Sequence, residues 1–104
     1  MPLTRSYRSV VAARMAREPA FKQALLAEAM NCLMQGDLDT GKSVLRNYIN
    51  ASLGFEALAA ATGTPPKSLM RMFSPSGNPT ARNLFTVIAC LQHELGVTLE
   101  VRAA

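Results

Sequence analysis

Apolar residues recur at helical spacing through most of this sequence, and the breaks between the periodic runs fall on Gly, Pro and Asn. Residues 1–5 are expected as a loose end. The run 6–17, SYRSVVAARMAR, predicts a first helix with Tyr7, Val10, Val11 and Met15 on its apolar side. Pro19 marks a break and opens a second helix over 19–35, with Phe21, Leu25, Ala29, Cys32 and Leu33 on one face and Met30 and Met34 beside it. Gly36 ends it. Asp37 or Asp39 can cap a third helix reaching about residue 51, its inner face carrying Leu38, Leu45, Tyr48 and Ile49.

After Gly54 the pattern shortens. In 55–74, FEALAAATGTPPKSLMRMFS, Phe55, Leu58 and Ala59 share a face, and Gly63 sits where that helix must stop. Thr64 is expected to cap the next helix, with Pro65 at its first position, where a missing N–H is harmless. Leu69, Met72 and Phe73 form its buried stripe, which leaves Pro66, Lys67, Ser68, Met70 and Arg71 facing outward. The cluster PSGNPT predicts a loop, and Thr80 can cap a last helix over 81–95 with Leu84, Val87, Ile88, Leu91 and Leu95 as its stripe. Beyond Gly96, VTLEV alternates apolar and polar, so residues 97–101 are expected as one short strand, with Val97, Leu99 and Val101 on one side. A lone strand leaves its backbone N–H and C=O groups unpaired. The same strand in a second copy of the chain is the economical partner.

The fold class expected is therefore all-α: a small bundle of about six helices with one short C-terminal strand. At 104 residues the chain suits one compact unit. Within it, residues 1–53 supply N-terminal helices and residues 54–104 carry the turn motif. Hydrophobic residues at 49% and charged residues at 17% favour folding over disorder. No apolar run approaches the ~20 residues a membrane helix needs, and the expected location is the cytoplasm.

Ala59, Gly63, Leu69 and Met72 have the spacing of a helix-turn-helix. A small residue lets two helices cross closely, glycine makes the turn, and two apolar residues pin the second helix so that its outer face can enter a major groove. Charge supports this placement. The net charge is +4, and no acid lies between Glu56 and Glu94, a span holding Lys67, Arg71 and Arg82. The first 17 residues are also free of acids and contain Arg5, Arg8, Arg14 and Arg17.

A second literal motif points elsewhere. Residues 36–43, GDLDTGKS, match the phosphate-binding loop G-x-x-x-x-G-K-S, with Lys42 for the β/γ-phosphates and Ser43 for magnesium. The chemistry needs a strand before the loop, and a helical pattern precedes it here. Asp37 and Asp39 would also sit inside the phosphate cradle. The expected role is a helix–helix turn. His93 is the only histidine, and Cys32 and Cys90 lie in apolar helical runs without the spacing of a zinc or redox pair. No nucleophile, base and oxyanion site assembles, so neither enzyme activity, nor a metal, nor a cofactor is expected.

The segments REPAF, QGD, GFEALAAATGTPPKSLMRMFSPSGNPT and GVTLEV resemble those of the addiction-module antidote proteins of bacteria, which carry a Cro/C1-type (Xre-like) helix-turn-helix. The resemblance spans about residues 17–101. It implies an antitoxin that binds and neutralises a small toxin of the RelE/HigB-like type and, as a homodimer, represses their shared operon by binding operator DNA. Dimerisation through residues 97–101 would complete the strand. By position, the DNA contacts it implies are Pro65, Pro66, Lys67, Ser68 and Arg71, with Thr64 and Asn78 on phosphates. Two prolines at the start of the recognition helix depart from the polar residues commoner there and remove donors, which leaves Lys67, Ser68 and Arg71 as the readers. Arg46 and Arg82 are expected as phosphate contacts or surface charge. The Arg-rich first helix and the Phe21/Leu25 face are the expected toxin surface. Alternatives are a stand-alone regulator with no toxin and a protein-interaction module with a vestigial helix-turn-helix.

Overall fold

In the computed structural model the backbone is described from residue 2 to residue 104 and side chains from residue 9 onward. Met1, and with it the first position of the expected loose end, lies outside the described residues, as do the side chains of Arg5, Tyr7 and Arg8. Six α-helices follow one another: α1 (Pro2–Arg17), α2 (Pro19–Met34), α3 (Leu38–Ala51), α4 (Phe55–Thr62), α5 (Pro66–Met72) and α6 (Ala81–Leu95). Residues 2–5, expected as loose, open α1 instead. Pro2 suits a first helical position, since its fixed φ is already helical.

The helix boundaries have local causes. Glu18 is extended (φ −127°, ψ 93°) and Pro19 starts α2, because the residue before a proline is pushed out of the α region. Asp37 caps α3 by accepting from the Thr40 N–H at 3.2 Å, and Thr80 caps α6 by accepting from the Asn83 N–H at 3.1 Å. Gly63 closes α4 in the left-handed region (φ 76°), its N–H donating to the Ala59 carbonyl at 2.8 Å. A side chain there would be strained.

The start of α5 differs from expectation. Pro65, not Thr64, is the cap residue, with ψ 144°, and no side chain caps the helix. The tandem prolines explain it. Pro66 forces Pro65 into an extended backbone, so the first helical position moves on by one residue. Thr64 turns back, its N–H donating to the Thr62 hydroxyl at 3.4 Å.

One continuous core joins all six helices. It contains Val11 and Met15 of α1, Leu26 and Ala29 of α2, Leu45, Tyr48 and Ile49 of α3, Phe55 and Leu58 of α4, Leu69 of α5, and Val87 and Leu91 of α6, with Phe73 and Val97 from the connecting segments. The most extensive helix pair is α2 along α3. Three residues depart from the expected stripes. Leu26, not among the expected α2 positions, is fully buried, whereas Val10 of α1 and Leu38 at the start of α3 are 64% and 53% exposed. Leu38 lines an open cleft with Leu33, Pro75 and Leu84 rather than entering the core, and Leu45 is the first fully buried side chain of α3.

Among the described residues no strand forms, so the strand expected over 97–101 is absent from this chain. Val97 is buried, and the Leu99 N–H donates to the Gln92 side-chain oxygen at 2.8 Å. Val101 is 81% exposed. The alternation therefore records a tail that lays Val97 and Leu99 on the core, pinned by α6 and without a ladder partner. The free thiols Cys32 and Cys90 are buried and half-buried. Burial, then the nearby Glu28, pushes the Cys32 thiol up, and burial, then Glu94, does so for Cys90. Among the described residues no helix is long and apolar enough to cross a membrane.

Candidate nucleic-acid interface

Helix α5 is only seven residues long, so its position depends on what holds it. Leu69 and Phe73 bury its inner side completely or nearly so, and the Phe73 ring meets Phe55 of α4 at 6.3 Å between centroids. With these anchors inside, Lys67, Met70 and Arg71 are exposed and Pro66 and Ser68 are half-buried. Lys67, Arg71 and the exposed Arg82 form no ion pair among the described residues. The outer face of α5 is therefore a short basic surface free to meet an anion.

Beside it lies an open cleft of about 360 Å³ between α5, the following loop and the first turn of α6. Ser68, Arg71, Ser76, Asn78, Thr80 and Asn83 contribute its polar lining. Of the residues singled out in the sequence, Ser68, Arg71 and Asn78 come together at this cleft. Thr64, Pro65, Pro66 and Lys67 lie toward the other end of α5, outside it. Thr64 and Pro66 are half-buried, and Pro65 and Asn78 are exposed. Ser76 and Asn83 were not foreseen. Asn83 could have been found from its spacing, three residues beyond the cap Thr80, which places it in the first turn of α6 above the loop.

The loop that forms the far wall is fixed from behind by α3. Lys42 is 7% exposed, and its ammonium donates to the carbonyls of Ser74 (3.0 Å), Pro75 (3.3 Å) and Gly77 (2.6 Å). One turn on, the Arg46 guanidinium donates to the Phe73 carbonyl at 2.7 Å. One of its donors thus holds the end of α5, so Arg46 is more than the plain surface charge expected of it. Lys42 lies inside a helix with its donors occupied, so the phosphate-loop pattern has no phosphate cradle. Gly77 must be glycine: a β-carbon there would collide with the Arg71 carbonyl and come within 2.6 Å of the Met72 carbonyl.

At the N-terminal half, Phe21 and Leu25 are partly buried against the core, and the Arg14 guanidinium lies 4.2 Å from the Phe21 ring centroid. This face is covered by α1 rather than open. Among the described residues no group of three or more His, Cys, Asp or Glu side chains is placed to hold a metal ion. Known protein families, curated proteins and solved structures give no match to this chain.

Proposed function

We propose that this protein is a DNA-binding antitoxin in which α4, the Gly63 turn and α5 act as a Cro/C1-type helix-turn-helix. The observation that carries the DNA-binding part is the division of α5. Leu69 and Phe73 are fixed in the core while Lys67 and Arg71 face solvent without acidic partners. An α-helix about 10–12 Å across with its side chains matches a major groove about 12 Å wide, so the outer face of α5 can lie in it. Arg71 reads a guanine edge with its planar fork, Lys67 and Ser68 add contacts from the same face, and Pro65 and Pro66 stiffen the approach without donating. Thr64, Asn78 and the newly found Asn83 hold the backbone phosphates on either side of α5.

A single domain offers one reading helix, so two copies bind half-sites about one helical turn apart. The second copy supplies the missing ladder for residues 97–101, with the exposed Val101 at the seam. The antitoxin part rests on the resemblance of segments 17–21, 35–37, 54–80 and 96–101 to bacterial antidote proteins. The toxin, a RelE/HigB-like protein in the cytoplasm, docks on the outer face of α1 and α2, where Val10, Arg14 and Arg17 are exposed.

Fluorescence anisotropy with the DNA upstream of the coding sequence and a scrambled duplex tests the DNA role. Binding should prefer the upstream DNA and weaken steeply with salt. The Lys67→Ala/Arg71→Ala double variant should lose about 10- to 100-fold in affinity, with a smaller salt slope. Equal, weak binding to both duplexes that the double variant leaves unchanged would remove this role.

A further inference from the structure

The phosphate-loop pattern leaves one buried cation that needs an explanation. A charged ammonium is expensive to take out of water unless its donors are all engaged. Lys42 meets that condition with three carbonyl acceptors in one short loop, matching the three donors of an ammonium. Pro75 and Gly77 carbonyls receive no backbone N–H among the described residues, so Lys42 is what satisfies them. Arg46, one helical turn further on the same side of α3, takes the Phe73 carbonyl at 2.7 Å. Two cations of α3 thus bind four carbonyls running from the end of α5 into the loop.

That loop touches the proposed reading head directly. Gly77 is pressed against the Arg71 carbonyl so closely that no β-carbon fits, and the next residue, Asn78, borders the cleft that Arg71 also lines. We propose that Lys42, assisted by Arg46, is a positioning residue for DNA recognition: its ammonium locks the 74–78 loop against the last turn of α5, setting Arg71 and Asn78 in register with each other. This rests on the DNA-binding reading above and names a residue that touches no DNA. An aliphatic side chain in place of Lys42 would fill the space but leave the loop carbonyls free to turn toward water. Arg71 and Asn78 would keep their charge and polarity and lose their fixed spacing.

The test is the same anisotropy titration on the full chain with Lys42→Met, a substitution of similar length, carried out at a temperature where circular dichroism shows the variant folded. Preference for upstream over scrambled DNA should fall about tenfold, the scale of one misplaced base contact. Affinity for the scrambled duplex and the salt slope should stay at wild-type values, since Lys67 and Arg71 are intact. A role confined to stability would lower the melting temperature and leave the preference unchanged, which would overturn the proposal. Arg46→Met removes one of the four contacts and should lower the preference in the same direction by about threefold. If Lys42→Met does not fold, this variant decides, and an unchanged preference again overturns the proposal. A wild-type chain that binds both duplexes equally would instead overturn the DNA-binding reading, and this proposal with it.

Discussion

Two lysines in this chain have opposite circumstances. Lys42 lies inside α3, is 7% exposed and has its donors on three carbonyls. Lys67 stands on the outer face of α5, exposed and without an ion pair among the described residues. The one that matches a nucleotide-binding motif letter for letter has nothing left to offer a phosphate. The one in a looser spacing pattern is free to meet one. The difference shows that a cation's availability is set by the backbone around it. Carbonyls at the end of a short helix and in a proline-rich loop need donors, and a nearby lysine is consumed in supplying them.

The sharpest way to break this comparison is to remove each lysine and measure stability. Lys42→Met should lower unfolding free energy by about 2–3 kcal/mol, because three charge-assisted hydrogen bonds that tie the loop to α3 go. Lys67→Ala should change it by less than about 0.5 kcal/mol, as surface substitutions do. Urea denaturation of the two variants makes the check. Similar losses in both would mean that Lys67 is also structural. For DNA affinity the order reverses: the largest loss, about 10- to 100-fold for the Lys67→Ala/Arg71→Ala variant, should fall on the exposed face.

Much of this architecture was legible from periodicity. Of the expected stripes, Phe55/Leu58/Ala59, Leu69/Phe73 and Val87/Ile88/Leu91 are buried, while Met72, Leu84 and Leu95 are partly buried against the core, and α6 begins at the residue after its predicted cap. What was not legible depends on contacts between segments distant in sequence. Lys42 meets Gly77 across 35 positions, and no local pattern announces that. Leu38 lies on the right side of its helix but at the mouth of a cleft beside the 75–79 loop, so period alone assigned it to the core. The alternation in 97–101 is real, yet it serves a tail laid on α6 rather than a ladder within this chain. Around the cleft, the loop residue Asn78 was visible through its motif. Asn83 was legible only as a first-turn residue of α6 three positions beyond the cap Thr80, and its place at the cleft comes from the loop beside it.

A smaller effect tests the correction at the start of α5. Thr80 accepts a hydrogen bond from the Asn83 N–H and Thr64 caps nothing. Thr80→Ala should therefore cost about 1 kcal/mol, the usual value of a hydroxyl cap, and Thr64→Ala close to none. Thermal melts of both read the difference. Equal losses would return the cap to Thr64 and undo the one-residue shift attributed to the tandem prolines. Since Thr64 and Thr80 flank the proposed reading surface at its two ends, the same pair separates a phosphate contact from a cap. Thr64→Ala should weaken DNA binding by a few-fold while leaving stability alone.

The least visible effect belongs to Tyr48, on the buried side of α3. Its side chain is fully buried, and its hydroxyl has no hydrogen-bond partner among the described residues. Burial pushes the phenol from 10.0 up to about 12. In the unfolded chain the phenol loses its proton near pH 10, while in the folded chain it keeps it until about pH 12. The unfolded state is therefore favoured progressively between those values, and the native state's advantage, intact below pH 10, declines as pH rises through the folded value. Tyr48→Phe removes the titrating group together with an unsatisfied hydroxyl. At neutral pH the variant should be as stable as the wild type or more stable by up to about 1 kcal/mol. Between pH 10 and 12 it should lose less stability than the wild type, a gap that parallel urea titrations read directly. A wild-type alkaline decline no steeper than the variant's would mean that the folded state stabilises the phenolate, through water or a hydrogen-bond donor reaching the Tyr48 oxygen.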